Sequence, residues 1–341
     1  MRYALGIALL LAACGGNGGG NDVAAQPDSF VDDLLADEST GPEVTGDIVP
    51  ADGGSEAGEP DITEPDGEAP DAVAELPDFA APDVDPEEWA KQYGTPCDSA
   101  DKVGWFTVDW NFGTSGVNGE ISDRVNTGLI MEKAGAEGPC VLLKRVEPFC
   151  NPECPSGEQC APGDKCQPFP KPVSAGTVTV TGLVKPVSMK LKGTSYFDTD
   201  FEGMAWVPGT PIELSASGGE VEAFSLQGAG VSPLAIPFAD WVLKKGTPLV
   251  AQWEPSDGPG QVQVEINLMQ HASNSHDLVC VLDDTGEFEI PQKLTDALID
   301  LGVSGAPVVL IFRRTVDSVQ VASGCIELQV KAYGTAYLTL K

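Results

Sequence analysis

The stretch Val262-Gln263-Val264-Glu265-Ile266-Asn267-Leu268 sets an apolar side chain against a polar one at every step. Successive side chains of an extended chain point to opposite faces, so a period of two marks a strand with one face on a core and the other toward water. The same rhythm runs through Thr177-Val178-Thr179-Val180-Thr181 and Val187-Ser188-Met189-Lys190-Leu191. Residues 308–312 are continuously apolar, long enough for a strand buried on both faces and too short for a free helix. Asp284-Thr285-Gly286 reads as a turn into a further strand, Glu287-Phe288-Glu289-Ile290. Only one segment departs from this pattern. Pro291 suits a first helical position, Leu294, Leu298 and Leu301 follow at helical spacing, and Gly302 can end the turn. Many short strands, Gly and Pro turns and one short helix predict an all-β fold of β-sandwich type. The sequence suggests two sandwich modules, 93–236 and 237–341, or one continuous domain across both; all-β domains reach that size.

Cysteines add crosslinks to this scheme. Leaving Cys14 aside, there are eight: Cys97, Cys140, Cys150, Cys154, Cys160, Cys166, Cys280 and Cys325. An even count in an exported chain reads as disulfides. Four of them fall in a Pro- and Gly-rich insert, 150–166, which is too short to have a core of its own and needs crosslinks to hold a shape. Four cysteines allow three pairings, of which we expect Cys150 with Cys160 and Cys154 with Cys166. For the outlying four the simplest expectation is pairing between sequence neighbours, Cys97 with Cys140 and Cys280 with Cys325. Zinc is the competing use of the insert, but its spacing lacks paired C-x2-C knuckles and exported thiols are usually oxidised.

Upstream the composition changes. Residues 15–90 contain 22 Asp or Glu, no Lys or Arg, and nine Pro. That leaves too little apolar surface to offset the entropy of ordering the segment, so residues 14–92 read as a disordered acidic tether. A flexible chain of this length spans roughly 50 Å, and self-repulsion extends it. The whole chain has a formal charge of −33, which disfavours nucleic acid as a partner.

Arg2 precedes an apolar run, 4–13, too short to cross a bilayer and suited to a signal-peptide h-region. The run ends in Leu11-Ala12-Ala13-Cys14 followed by Gly15, and this resembles the lipobox of bacterial lipoproteins. The resemblance implies a signal peptide at 1–13, lipidation of Cys14 and anchoring by two or three acyl chains, which hold where one does not. With Gly15 rather than Asp after the cysteine, it further implies the outer membrane. The order of lipobox, acidic low-complexity tether, four-cysteine insert and β-rich part resembles surface lipoproteins of myxobacteria and related bacteria. That likeness implies a cell-envelope address and no particular activity.

Chemistry is sparsely signposted. His271, His276 and Asp277 lie within seven residues and could supply zinc or copper ligands. Asp198, Asp200 and Glu202, ahead of Gly203, resemble the start of a calcium loop, although its twelfth position is Gly209 where Glu is needed. No G-x-S-x-G, H-E-x-x-H, G-x-G-x-x-G or Walker pattern occurs, so no catalytic set and no cofactor are expected. The expected function is a non-enzymatic interaction or structural role in the envelope, with an envelope or extracellular protein or a glycan as partner. Two alternatives remain: a carbohydrate-binding module using exposed tryptophans, and a hydrolase with a carboxylate pair contributed by distant strands.

Overall fold

A computed structural model describes residues 95–341 apart from 112, 147, 238–239, 269–275 and 304–305. The expected signal peptide and tether, with Cys14, Trp89 and His271, therefore lie outside the described residues. Nineteen strands and one α-helix are described. In order they are β1 (Lys102–Asn111), β2 (Thr114–Ile121), β3 (Met131–Glu137), β4 (Cys140–Arg145), β5 (Glu158–Ala161), β6 (Lys165–Pro168) and β7 (Val178–Thr181). Next come β8 (Val187–Met189), β9 (Tyr196–Glu202), β10 (Pro211–Ala216), β11 (Phe224–Ala229), β12 (Asp240–Leu243), β13 (Leu249–Gln252) and β14 (Gln261–Asn267). The chain closes with β15 (His276–Leu282), β16 (Glu287–Ile290), α1 (Gln292–Asp300), β17 (Val308–Val321), β18 (Gly324–Gly334) and β19 (Tyr337–Leu340). The all-β reading holds, and the alternating stretch at 262–268 is strand β14, with Val262, Val264 and Ile266 fully buried.

A nine-stranded sheet in the order β3-β4-β15-β14-β17-β18-β1-β2-β9 organises the molecule. Its one parallel contact is β1 with β18; every other neighbouring pair is antiparallel. Strands from both sides of Pro237 alternate within it, so a cut there would divide the ladder.

Register places Ile326, Leu328, Val330 and Ala332 of β18 on the same face as Thr315, Arg313 and Ile311 of β17, and thence Val262, Val264 and Ile266 of β14. This inner face carries two cores. At the β18-β1-β2-β9 end, Phe106, Val117, Ile121 and Tyr196 meet the four-stranded sheet β11-β10-β7-β8, giving the sandwich. At the β4-β15-β14 end, the inner face meets Trp241, Trp253, Ile290, and Leu294 and Leu298 of α1. The helix buries those two leucines, while Leu301 is 41 % exposed and lies past its end, beside Gly302 in the left-handed region at φ 101°. Pro291 is the cap residue rather than the first helical one; its ψ of 128° is extended.

Between the two cores stands Arg313, 1 % exposed. Its Nε and one Nη donate to the Asp284 carboxylate at 2.6 and 3.2 Å, and the remaining N–H groups reach the carbonyls of Ser232, Pro233 and Glu254 at 2.8–3.0 Å. All five guanidinium donors are used, which is the condition for burying such a charge.

The insert is crosslinked as Cys150–Cys160 and Cys154–Cys166, the expected pairing. The expectation for the outlying four is corrected: the disulfides are Cys97–Cys325 and Cys140–Cys280. Sheet order is the reason. Strand β15 lies beside β4, with Cys280 directly opposite Cys140, whereas β14 and β17 separate β15 from β18. Three inter-strand spacings are about 14 Å, and Cys325 lies nine residues, about 30 Å, along β18 from Gly334, the residue level with Cys280, so the two are far beyond what a disulfide spans. These two bridges close loops with sequence separations of 228 and 140, worth about 5 kcal/mol each if chain entropy alone acts.

Candidate functional site

The opposite, outer face of the nine-stranded sheet gathers the ionisable side chains. Because residues alternate, Asp109 of β1, Lys331 of β18 and Arg314 of β17 stand in one row, joined by direct register. One row further along, Tyr333 pairs with Phe312, their rings 5.2 Å apart and tilted by 54°, and the Lys331 ammonium lies 5.2 Å from the Phe312 ring centre. Glu265 of β14 and Glu327 of β18 flank this band. Glu327 is 2 % exposed and accepts from Lys102 Nζ at 2.5 Å, from the backbone N–H of Cys97 at 3.0 Å and from the Gln329 amide at 2.6 Å.

Burial dominates the electrostatics here. It raises the carboxyls of Asp109 and Glu265 above their ordinary range and lowers the cations of Lys331 and Arg314, while the opposite charges nearby act against each shift. Burial, with the negative charges of Asp109 and Glu265, pushes the Tyr333 phenol up to about 12. Arg314 Nε and Gln263 Oε1 are buried without a hydrogen-bond partner.

Two raised carboxyls invite the hydrolase reading, but their placement argues against pairing. Asp109 and Glu265 sit on strands three inter-strand spacings apart, and Glu265 lies four residues along β14 from the Asp109–Arg314 row. Their backbones are then roughly 15 to 20 Å apart, and a glycoside-cleaving pair needs about 5 to 9.5 Å between carboxyl groups.

A groove of about 590 Å³ opens at the end of the sheet where β1 begins, lined by Ser99, Lys102, Trp105, Glu120, Arg124 and Phe169 among others. The Trp105 indole donates to Glu120 at 2.8 Å, fixing the ring beside a carboxylate. The Ser99 hydroxyl donates to the Met131 carbonyl and accepts from its N–H, which commits it to holding β3. Arg124 is bound to Asp123, whose carboxyl it holds down at about 2. The groove thus offers hydrogen-bonding edges and the aromatic side chains of Trp105 and Phe169.

Of the metal ligands expected from sequence, His271 lies outside the described residues. His276 and Asp277 are consecutive residues of β15, so their side chains leave opposite faces of the sheet and cannot share an ion. His276 is buried; Asp277 accepts from the Asn267 amide. Asp198, Asp200 and Glu202 belong to strand β9 rather than to a loop. Asp198 and Glu202, four residues apart on an extended strand, stand about 13 Å apart, too far to wrap one calcium ion held at 2.3–2.6 Å. Strands β15 and β9 are also six positions apart in the sheet. Cys150, Cys154 and Cys160 have sulfurs within 4.8 Å of one another, but both disulfides of the insert pass through this group and leave no thiolate for zinc.

Of the tryptophans, Trp206, Trp241 and Trp253 are buried, the first and last donating to Val231 and Asp284. Trp105 and Trp110 are half-buried but occupy odd and even positions of one unbroken strand, hence opposite faces. Among the described tryptophans no two are exposed on one face for stacking on a sugar. Sequence reading missed the outer-face charge band, although its signal was present: Glu327, Gln329 and Lys331 alternate with Ile326, Leu328 and Val330. No family model matches the chain, and no curated protein matches it either.

Proposed function

We propose that this protein is a cell-envelope lipoprotein, anchored through acylated Cys14 and presenting a disulfide-crosslinked β domain with a non-enzymatic binding or structural role, outside the inner membrane. One observation supports it above others. All eight cysteines from Cys97 onward are consumed in four disulfides, so Cys14, the cysteine of the Leu11-Ala12-Ala13-Cys14 motif, has no other cysteine in the chain to pair with. A lone cysteine in an otherwise fully oxidised chain fits a thiol used for attachment. The groove at Trp105 and Glu120 suits a polar partner such as a peptide or glycan edge.

The test is intact mass of the protein extracted from membranes, with and without reduction, beside a Cys14→Ser variant. The expected result is a chain beginning at Cys14 with a lipid increment, eight thiols released only by reduction, and transfer of the variant to the soluble fraction. An unlipidated wild-type chain, or a variant retained in membranes as fully as wild type, overturns the proposal.

A further inference from the structure

The walls of the groove at the start of β1 are fixed by buried groups. Thr127 N–H donates to Gln159 Oε1 at 3.1 Å, the Gln159 amide donates to the Val125 carbonyl at 3.0 Å, and the Thr127 hydroxyl donates to the Cys160 carbonyl at 2.7 Å. Both side chains are buried, so the loop bearing Asn126 and Leu129 is fastened to the disulfide-crosslinked insert. Arg145 Nε holds the same loop through the Gly128 carbonyl at 2.6 Å, and Phe169 N–H reaches the Gly157 carbonyl at 3.4 Å. On the floor, Glu120 pins the Trp105 indole. A surface ordered in this way loses little conformational freedom when a ligand binds.

The lining is rich in acceptors and poor in donors. The one N–H of the Trp105 side chain is used on Glu120, and Pro170 and Pro172 have no N–H. Strand β1 lies between β18 and β2, so its backbone groups are paired in the ladder and give no edge to which a peptide strand could add. Lys102 is engaged by Glu327 and Arg124 by Asp123. Glu120 is exposed, and beyond the indole its carboxylate has no partner among the described residues. Ser122 and Thr194 add hydroxyls. With both cations paired, the open charge of the groove is a carboxylate, which repels phosphates and acidic polymers. The chemistry that complements this lining is an uncharged ligand with hydroxyl donors around its edge and a C–H face for an aromatic ring, which is a sugar.

We propose that this groove binds a strand of uncharged glycan, one ring stacked on Trp105 with its hydroxyls donating to Glu120. The surface continues beyond the groove. Thr107, Asn118 and Phe197 are register partners on β1, β2 and β9, on the same outer face and two residues along from Trp105 and Glu120. Phe197 is 44 % exposed, and the Lys192 ammonium, 5.0 Å from the ring centre, takes one of its two faces. Two inter-strand spacings and a two-residue step put the backbones of Trp105 and Phe197 about 12 Å apart. The two rings then serve different sugars of one chain, with the Asn118 amide and the Thr107 hydroxyl between them. A search for paired tryptophans misses this arrangement, because the second aromatic is a phenylalanine on another strand. The proposal rests on the binding role proposed above and names the class of ligand.

The test is titration of the full chain with cellohexaose, laminarihexaose, xylohexaose and N-acetylchitohexaose, followed by tryptophan fluorescence and calorimetry. The expected result is saturable binding of at least one of these, weakened about tenfold or more in Trp105→Ala and about threefold or more in Phe197→Ala. Glu120→Gln keeps an acceptor for the indole and removes the charge, and should weaken binding by about threefold or more. Thermal melts check that each variant is folded; if Trp105→Ala is not, Phe197→Ala and Glu120→Gln carry the comparison. Failure of all four sugars to bind overturns the proposal, as does binding unchanged in the folded variants. Binding of hexalysine instead, lost in Glu120→Gln, assigns the groove to a basic peptide and equally overturns it. None of these outcomes touches the anchor, which is read from the mass of the Cys14 chain, so a failure here leaves the lipoprotein reading standing.

Discussion

Arg313 shows how one side chain joins parts that local sequence does not connect. It ties Asp284, Ser232, Pro233 and Glu254, from three separate loops, to the middle of β17. Removing one partner of a buried, fully hydrogen-bonded ion pair leaves an uncompensated charge and several orphaned acceptors. Arg313→Met is therefore expected to cost about 3 to 5 kcal/mol in denaturant unfolding. Arg313→Met with Asp284→Leu should recover part of that loss, since the pair then leaves no charge behind; a single variant within 1 kcal/mol of wild type (roughly the scale of an exposed pair) would refute the assignment. The exposed Lys245–Asp300 pair at the end of α1 is in that weaker class.

At the scale of elements, strands β14, β17, β18 and β1 each bring polar residues to a face where burial penalises charge. Glu265 is the clearest case. Its carboxyl is held above the ordinary value by desolvation, with Lys331 and Arg314 pulling it down and Asp277 pushing it up. A raised carboxyl contributes stability below the unfolded-state carboxylate range, and that contribution is lost as pH rises through the folded value. Glu265→Gln stays neutral throughout and retains an acceptor for Gln263. Thermal melts should place the variant above wild type at neutral pH and equal to it at about pH 3, where both side chains are uncharged. A variant less stable at neutral pH would mean that attraction to Lys331 outweighs burial. The same strand illustrates a limit of pattern: Gln263 alternates as a solvent-facing residue should, yet it is 7 % exposed.

For the whole molecule, the long strand β17 runs through both cores, Ile311 lying in one and Val319 and Val321 packing against the other, to which its partner β18 contributes Ile326 and Leu328. Cys97–Cys325 and Cys140–Cys280 each link the first part of the chain to the last. Residues 95–341 should unfold as one unit, with calorimetric and van't Hoff enthalpies in agreement. Residues 237–341 alone should fail to fold, because β15 and β18 would lose β4 and β1 and expose two unpaired edges. Two separated transitions, or a folded C-terminal fragment, would restore the two-module division at Pro237.

The sequence by itself determined what depends on neighbours along the chain. Alternation placed β14, β7 and β8, proline and leucine spacing placed α1, and close spacing kept Cys150, Cys154, Cys160 and Cys166 as partners of one another within the 150–166 insert, with three pairings open among them. These follow from backbone geometry over two to a dozen residues. Tertiary structure alone decided which strands lie side by side, and with that the partners of Cys97, Cys140, Cys280 and Cys325. It also separated His276 from Asp277 and laid Asp198, Asp200 and Glu202 along a strand. The continuation of β17 through Arg313 and Arg314 belongs with these, since two adjacent arginines break the apolar run at 308–312. One finds its carboxylate and carbonyls inside and the other faces the charge band, on opposite sides of one strand. Strand pairing is chosen by hydrogen bonds and packing between residues up to 228 apart, and no local period encodes that choice.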